Sequence, residues 1–431
     1  MKKVLIITYY WPPASSPGVQ RWLKFVKYLS EFDIEPIVLT VDNASVPAVD
    51  ETLLEDVPAG LKVVFSKALE PISLYNALVG KKGNTAEVGL GDIKETKSPI
   101  KKLAKYLRSN VFIPDAKIGW YYNVRKKAVD LVNSEQIDTI ITTGPPHTTH
   151  LIGNYVKQKT GVKWIVDFRD PWTGIFYEKY LSRSERSKQK NKSLEQMVLA
   201  NSDEIITVSN GLKQEFPSAD EKITVIANGF DPADLPKYEP TKTKYFTLVY
   251  TGNLKANQNI NGLWKAIESL CTNTDFRNYF RLELVGNVHA EIRETINKHG
   301  LTNIVEYKPF VQHKEAVKIM MYANMLWLPI PMSANNKLII TGKIFEYLAA
   351  RTPILSIGPS DGDAAKILAA CERDPIIDYD EVATIEKQIM TYFSQWKSNN
   401  GFSTKHEGDA HMVYARRSLT QRLANQIHQL N

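Results

Sequence analysis

Asn335 to Gly358 read NNKLIITGKIFEYLAARTPILSIG, and the rest of the chain is understood from this stretch outward. Thr341-Gly342 can open a helix, Lys343 to Ala350 are good helix formers, and Pro353 stops the helix before the apolar run Ile354-Leu355-Ser356-Ile357. The pattern predicts a helix that feeds a buried strand. Lys343 and Glu346 are three residues apart and share one helical face near the helix start. There the free N–H groups and the helix dipole favour an anion. A phosphate fits that place, with Lys343 as counter-charge and Glu346 free to accept hydrogen bonds from a pair of sugar hydroxyls. The same spacing also suits an ordinary solvated Lys/Glu pair, worth roughly 0.2–0.5 kcal/mol, and spacing alone leaves both readings open.

The same alternation runs through both halves of the chain. Val4 to Thr8 is apolar, a Pro/Ser/Gly loop follows, Arg21 to Ser30 is amphipathic, and Pro36 to Thr40 is apolar again. That is a βαβ unit, and its Pro12–Gly18 loop lies at a strand end, where such folds bind ligands. A G-x-G-x-x-G fingerprint is absent. Asp138 to Thr143 is a further predicted strand, leading into TTGPPHTTHLIG with His147 and His150. Trp164 to Phe168 is another, ending on Arg169-Asp170-Pro171-Trp172. Arg169 and Asp170 either brace this loop as an ion pair, or act on a substrate. In the second role Arg169 holds an anionic group and Asp170 orients a hydroxyl or takes its proton. After the polar segment Asp234–Lys244 the pattern restarts: Phe246 to Thr251, the loop GNLKANQN, a helix over Ile260–Leu270, and later the strand Met325–Ile330. The expected domains are 1–233 and 245–411, with a basic helical tail at 412–431 packing back on the first. Both are doubly wound α/β units.

Length and composition agree with two soluble globular domains: 431 residues, 43% hydrophobic and 23% charged. No apolar run approaches the ~20 residues needed to span a bilayer, and Met1-Lys2-Lys3 leads straight into VLIIT, so the expected location is the cytoplasm. Cys271 and Cys371 have no metal-ligand spacing. The formal net charge of +7 favours anionic partners. Two basic stretches, Ile100–Arg108 and Lys179–Lys192, fit either solvated helices or a peripheral contact with an anionic membrane face. The second has no interleaved aromatics past Tyr180, so stacking on single-stranded nucleic acid is not supported and nucleic acid is not an expected partner.

Beyond these patterns, GKIFEYLAARTPILSIG resembles the donor-binding segment of GT-B fold glycosyltransferases related to the retaining family-four enzymes. VDFRDPWTG, the Ile113-Pro114-Asp115 step, ITVSNGL and VIANGFD resemble further segments of the same group. The resemblance implies two Rossmann-like domains facing across a cleft. It implies transfer of a sugar from a nucleotide-sugar donor to an acceptor hydroxyl on a glycan or lipid-linked acceptor. The transfer is expected with retention, without metal or other cofactor, and in cell-surface polysaccharide or glycoconjugate synthesis. Carried onto this sequence, Glu346 binds the ribose hydroxyls, and Thr341, Gly342, Gly252, Asn253, Lys255, Phe310 and Val311 line the donor site. Asp170, Arg169, Lys343 and His147 serve the chemistry, and Gly18 and Arg21 form the acceptor or phosphate loop. The chain departs from the pattern where Leu338 replaces the first Glu of the E-x7-E pair, Arg351 replaces a Gly, and Asn253 and Gln258 replace phosphate-binding cations. Those losses keep two other readings open, a non-catalytic nucleotide-sugar-binding partner and a nucleotide-sugar epimerase.

Overall fold

The computed structural model describes residues 1–42, 49–68, 106, 109–174 and 183–430. Apart from Tyr106, the basic stretch Ile100–Arg108 lies outside the described residues. So does the start of the second basic stretch, up to residue 182. The chain divides into two compact units, Met1–Ala227 with Arg416–Asn431, and Asn228–Ala415.

Unit 1 is built on a parallel seven-stranded sheet: β1 (Lys2–Ile7), β2 (Ile34–Val41), β3 (Lys62–Ser66), β4 (Thr139–Gly144), β5 (Lys163–Phe168), β6 (Glu204–Thr207) and β7 (Ile223–Val225). The spatial order is β3-β2-β1-β4-β5-β6-β7. In β1 the alternation of a pleated strand sends Val4 and Ile6 to one face and Leu5 and Ile7 to the other, and all four are buried because helices cover both faces. The chain's last helix, Arg416–Gln429, supplies Leu419, Leu423, Ala424 and Ile427 to the same core as Val4, Ile6 and the helix Pro17–Leu29.

Unit 2 repeats the plan with five parallel strands: β8 (Phe246–Thr251), β9 (Phe280–Val285), β10 (Val305–Lys308), β11 (Met325–Pro329) and β12 (Ile354–Ile357), ordered β10-β9-β8-β11-β12. Its helix Lys343–Ala350 has the predicted bounds. It ends on Arg351 in the left-handed conformation (φ 56°), where glycine would be the undemanding residue. Arg351 offsets that conformation through its side chain, whose Nε donates to the carbonyl of His406 and whose Nη2 donates to that of Gly408. In each sheet the strand order reverses once, between β1 and β4 and between β8 and β11. The crevice beyond the strand C-termini at such a reversal is where open α/β sheets bind ligands.

Candidate active site

At the reversal in unit 2, the loop after β8 meets the start of the Lys343 helix. Gly252 has φ +111°, and a side chain there would lie 3.0 Å from Lys343 Nζ, so glycine lets backbone and lysine come together. The Lys343 ammonium stands 5.1 Å from the Tyr250 ring centre. Burial lowers its pKa, Glu346 pulls it back up, and the charge of Lys255 lowers it further, so two cations share this crevice. Gly342 occupies the N-cap position without a capping side chain; Ile344 N donates to Thr341 O at 3.2 Å, and the neighbouring N–H groups of the first turn are open to a ligand. Beside them the Thr341 hydroxyl is buried and makes no hydrogen bond. Glu346 Oε1 is 2.9 Å from His313 Nε2 on the preceding helix, His313–Tyr322.

At the reversal in unit 1, Arg169 joins the loops. Its Nε donates to Gly144 O (3.2 Å) and its Nη2 to Pro145 O (2.6 Å), while Nη1 lies where a side chain on residue 18 would begin, 1.4 Å from that position. Gly18 is therefore the space that admits the guanidinium. His147 is buried and stacked on Trp172, with ring centres 4.6 Å apart and planes 4° apart. His150 is held by Thr142 Oγ1 at 2.9 Å. Burial pushes both imidazoles down, His150 to about 3, and the Arg169 charge adds to the effect, so both are neutral near pH 7. The ring nitrogens His147 Nδ1 and His150 Nε2 are buried without a partner.

Residues 93–234 match the model of Glycosyltransferase Family 4. Among solved structures the chain is similar to Anabaena HepE in complex with UDP-glucose (14% identity, TM-score 0.60, 100% of both chains covered). It is also similar to sucrose-phosphate synthase from Thermosynechococcus elongatus (12%, 0.61, 100% of this chain and 99% of that one). A third is WaaG, a glycosyltransferase involved in lipopolysaccharide biosynthesis (11%, 0.54, 98% and 99%). The chain has the GT-B fold, and residues 93–234 within it are similar to Glycosyltransferase Family 4. No curated protein matches it.

The fold brings Gly252, Lys255, Thr341, Gly342, Lys343 and Glu346 into one neighbourhood of unit 2, and Gly18, His147 and Arg169 into one neighbourhood of unit 1. Asp170 stands exposed beside Arg169. Asn253 is exposed, and its side-chain oxygen accepts from Asn287 Nδ2 at 3.1 Å. Phe310 is 74% exposed just beyond β10, with Val311 half-buried next to it.

Two expectations need correction. Arg21 is not on a ligand-facing loop. It is fully buried in the helix Pro17–Leu29, paired with Asp167 at 3.0 Å and donating to Ile226 O and Ala227 O at 2.8 Å. A buried arginine with these partners braces β5 and the segment after β7. Nor is Glu346 wholly free, since His313 occupies one of its oxygens.

Other parts of the site were not read from the sequence. Gln258 donates to Pro329 O (3.2 Å) and accepts from Lys255 N (3.1 Å), tying the loop after β8 to the end of β11. It works here as a brace, not as a phosphate ligand. Asp115 accepts from Thr148 N (2.9 Å) and Thr148 Oγ1 (2.8 Å), capping the helix Thr148–Thr160 from 33 residues away. The Ile113-Pro114-Asp115 step was its only signal. Trp172 Nε1 donates to Asn191, and Thr173 to Glu195, so the helix Glu185–Asn201 anchors the Arg169 loop by one side. Its Arg186, Lys188, Lys190 and Lys192 are exposed. The two Asp-x-Asp steps, Asp361-Gly362-Asp363 and Asp378-Tyr379-Asp380, fall after β12. Asp361 pairs with Lys337 (2.5 Å) and Asp363 with Lys366 (3.2 Å). Neither step belongs to a cluster of three potential metal ligands among the described residues.

Proposed function

We propose that the enzyme transfers a sugar from a nucleoside diphosphate sugar to an acceptor hydroxyl with retention and without metal, and that unit 2 holds the donor. The observation that carries this reading is the pairing of Lys343 with an uncapped helix start against Gly252. A leaving diphosphate needs cationic and N–H stabilisation where its charge develops, and this crevice offers both. Lys255 supplies a second cation in place of those missing at Asn253 and Gln258. Glu346, oriented by His313, keeps an oxygen for the ribose hydroxyls. HepE structures are complexes with UDP and with UDP-glucose, which makes a uridine nucleotide sugar the first donor to test.

In unit 1, Arg169 positions an anionic part of acceptor or donor, and Asp170 takes or orients the acceptor proton. Neutral His147 can donate or accept a hydrogen bond at its unpartnered nitrogen. A glycan or lipid-linked acceptor and work at the inner membrane face belong to the same proposal. No described helix is long and apolar enough to cross a membrane, and the exposed basic face of Glu185–Asn201 suits an anionic surface.

The test is a thermal-shift screen of UDP, GDP, dTDP, CMP and their sugars, followed by transfer assays with the donor it selects. Expected is one nucleotide whose stabilisation follows mass action and is lost in Glu346→Ala. Stabilisation without transfer to any acceptor favours a non-catalytic partner. Conversion of the sugar without acceptor identifies an epimerase.

A further inference from the structure

Away from the crevice, unit 2 contains a second cavity of about 240 Å³. It opens at Pro353 and Ile354, where β12 begins, and so lies at the sheet edge opposite the strand C-termini that carry Gly252 and Gly358. Arg373 and Lys405 line its inner part. Arg373 is 9% exposed. Its Nη2 donates to Leu348 O at 3.1 Å, but its Nε is buried with no partner. Lys405 Nζ donates to Thr352 Oγ1 at 2.6 Å and to the carbonyl of Met321. His406 lies beside them, fixed by the Arg351 clamp. The acids are Glu372, Asp374 and Glu407. Glu372 and Glu407 reach solvent at the rim, and Asp374 accepts from Tyr392 Oη at 2.6 Å.

Two cations side by side below an acidic rim make an unbalanced floor. Burial and the neighbouring Arg373 push Lys405 down to about 7, and burial lowers Arg373 to about 10. An anion between them would relieve the repulsion. The floor calls for an oxyanion with several acceptor oxygens. The rim carboxylates accept from hydroxyls, so a hydroxylated body on that anion is tolerated where a second acidic group is not. The cavity has room for a small anion with such a body.

We propose that this cavity binds a small phosphoryl anion, with Arg373 and Lys405 as its ligands, separately from the donor site. Two sources share that chemistry, free phosphate and a small sugar phosphate.

The full-length enzyme is titrated with inorganic phosphate, with a hexose phosphate, and with sodium chloride at matched ionic strength. Melting temperature is the readout. Phosphate should raise it, chloride should not, and a larger shift with the hexose phosphate would assign the physiological class to sugar phosphates. The shift should vanish in Arg373→Gln and survive in Glu346→Ala. A shift lost in Glu346→Ala and kept in Arg373→Gln would place the anion in the donor crevice and overturn the proposal. Equal shifts with chloride would do so too. Arg373→Gln also removes the bond to Leu348 O that helps hold the fold, so the wild-type enzyme supplies a second test. At pH 7.5 the Lys405 amine is acetylated with acetic anhydride and the peptide quantified. Phosphate at ten times its Kd should slow that modification roughly tenfold, by mass action. An unchanged rate refutes binding at this floor.

Discussion

Acidification should destabilise this protein through two histidines that the fold holds neutral. His150 is fully buried, bonded to Thr142 and close to Arg169, and its pKa falls from 6.5 to about 3. In the unfolded chain it takes a proton near pH 6.5. The folded-state pKa is the lower one, so the unfolded state binds more protons between pH 6.5 and 3. Stability is then complete above pH 6.5 and is lost as pH falls toward 3, by roughly 1 to 1.5 kcal/mol per pH unit for one group. At pH 5 the loss from His150 is about 2 kcal/mol. His147 is displaced in the same direction by burial, His150 and Arg169, and adds to the loss. Against a typical 5–15 kcal/mol of total stability, the pair is a substantial share. Urea melts of wild type and His150→Gln from pH 7.5 to 5, followed by tryptophan fluorescence, test this. The wild-type midpoint should fall steeply, and His150→Gln should remove about half of the fall while costing some stability at pH 7.5. Identical slopes in both proteins, or an imidazole signal of His150 titrating near 6.5 by NMR, would refute the reasoning.

Four further outcomes follow from the geometry. Lys343→Met should lower kcat/KM by about 10²–10³-fold with little change in melting temperature, because it removes a charge aimed at the leaving group. His313→Gln should weaken donor binding by a smaller factor than Glu346→Ala, since it releases Glu346 without removing it; calorimetric titration with the selected nucleotide separates the two. Gly286→Ala combines φ +113° with a side-chain position only 2.6 Å from the Gly252 carbonyl oxygen, so it should cost about 1–2 kcal/mol for the left-handed backbone alone and displace the Gly252 loop, measurable as joint losses of stability and donor binding. Gly18→Ala should displace the Arg169 guanidinium and break its bonds to Gly144 and Pro145, lowering transfer more than donor affinity; unchanged turnover would remove Arg169 from the chemistry.

Much of this was legible in the sequence. The helix Lys343–Ala350 was bounded correctly because its signals are local: helix formers between a Gly and a Pro. The alternation of apolar runs and amphipathic helices likewise announced the two α/β sheets. What escaped depends on contacts between distant residues. Arg21 sits in a Val-x-Arg context that suits a ligand loop, and only the packing of Asp167 beneath it makes it a brace. Gln258 looked like a lost cation because a side chain's carbonyl partners cannot be read from its neighbours. The Glu346–His313 contact joins two helices 33 positions apart, and the Arg373 cavity is assembled from segments between 353 and 407.

The return of the last helix to unit 1 bears on how the protein is made. Leu419, Leu423 and Ile427 belong to the same core as Val4 and Ile6, so the earlier-synthesised sheet lacks part of its cover until the residues that follow unit 2 have left the ribosome. Residues 228–415 contain all of unit 2 and can close their own core earlier. The order of maturation is thus the reverse of the order of synthesis, and the early β1–β7 segment spends that interval with the part of one face that the last helix covers open to chaperones.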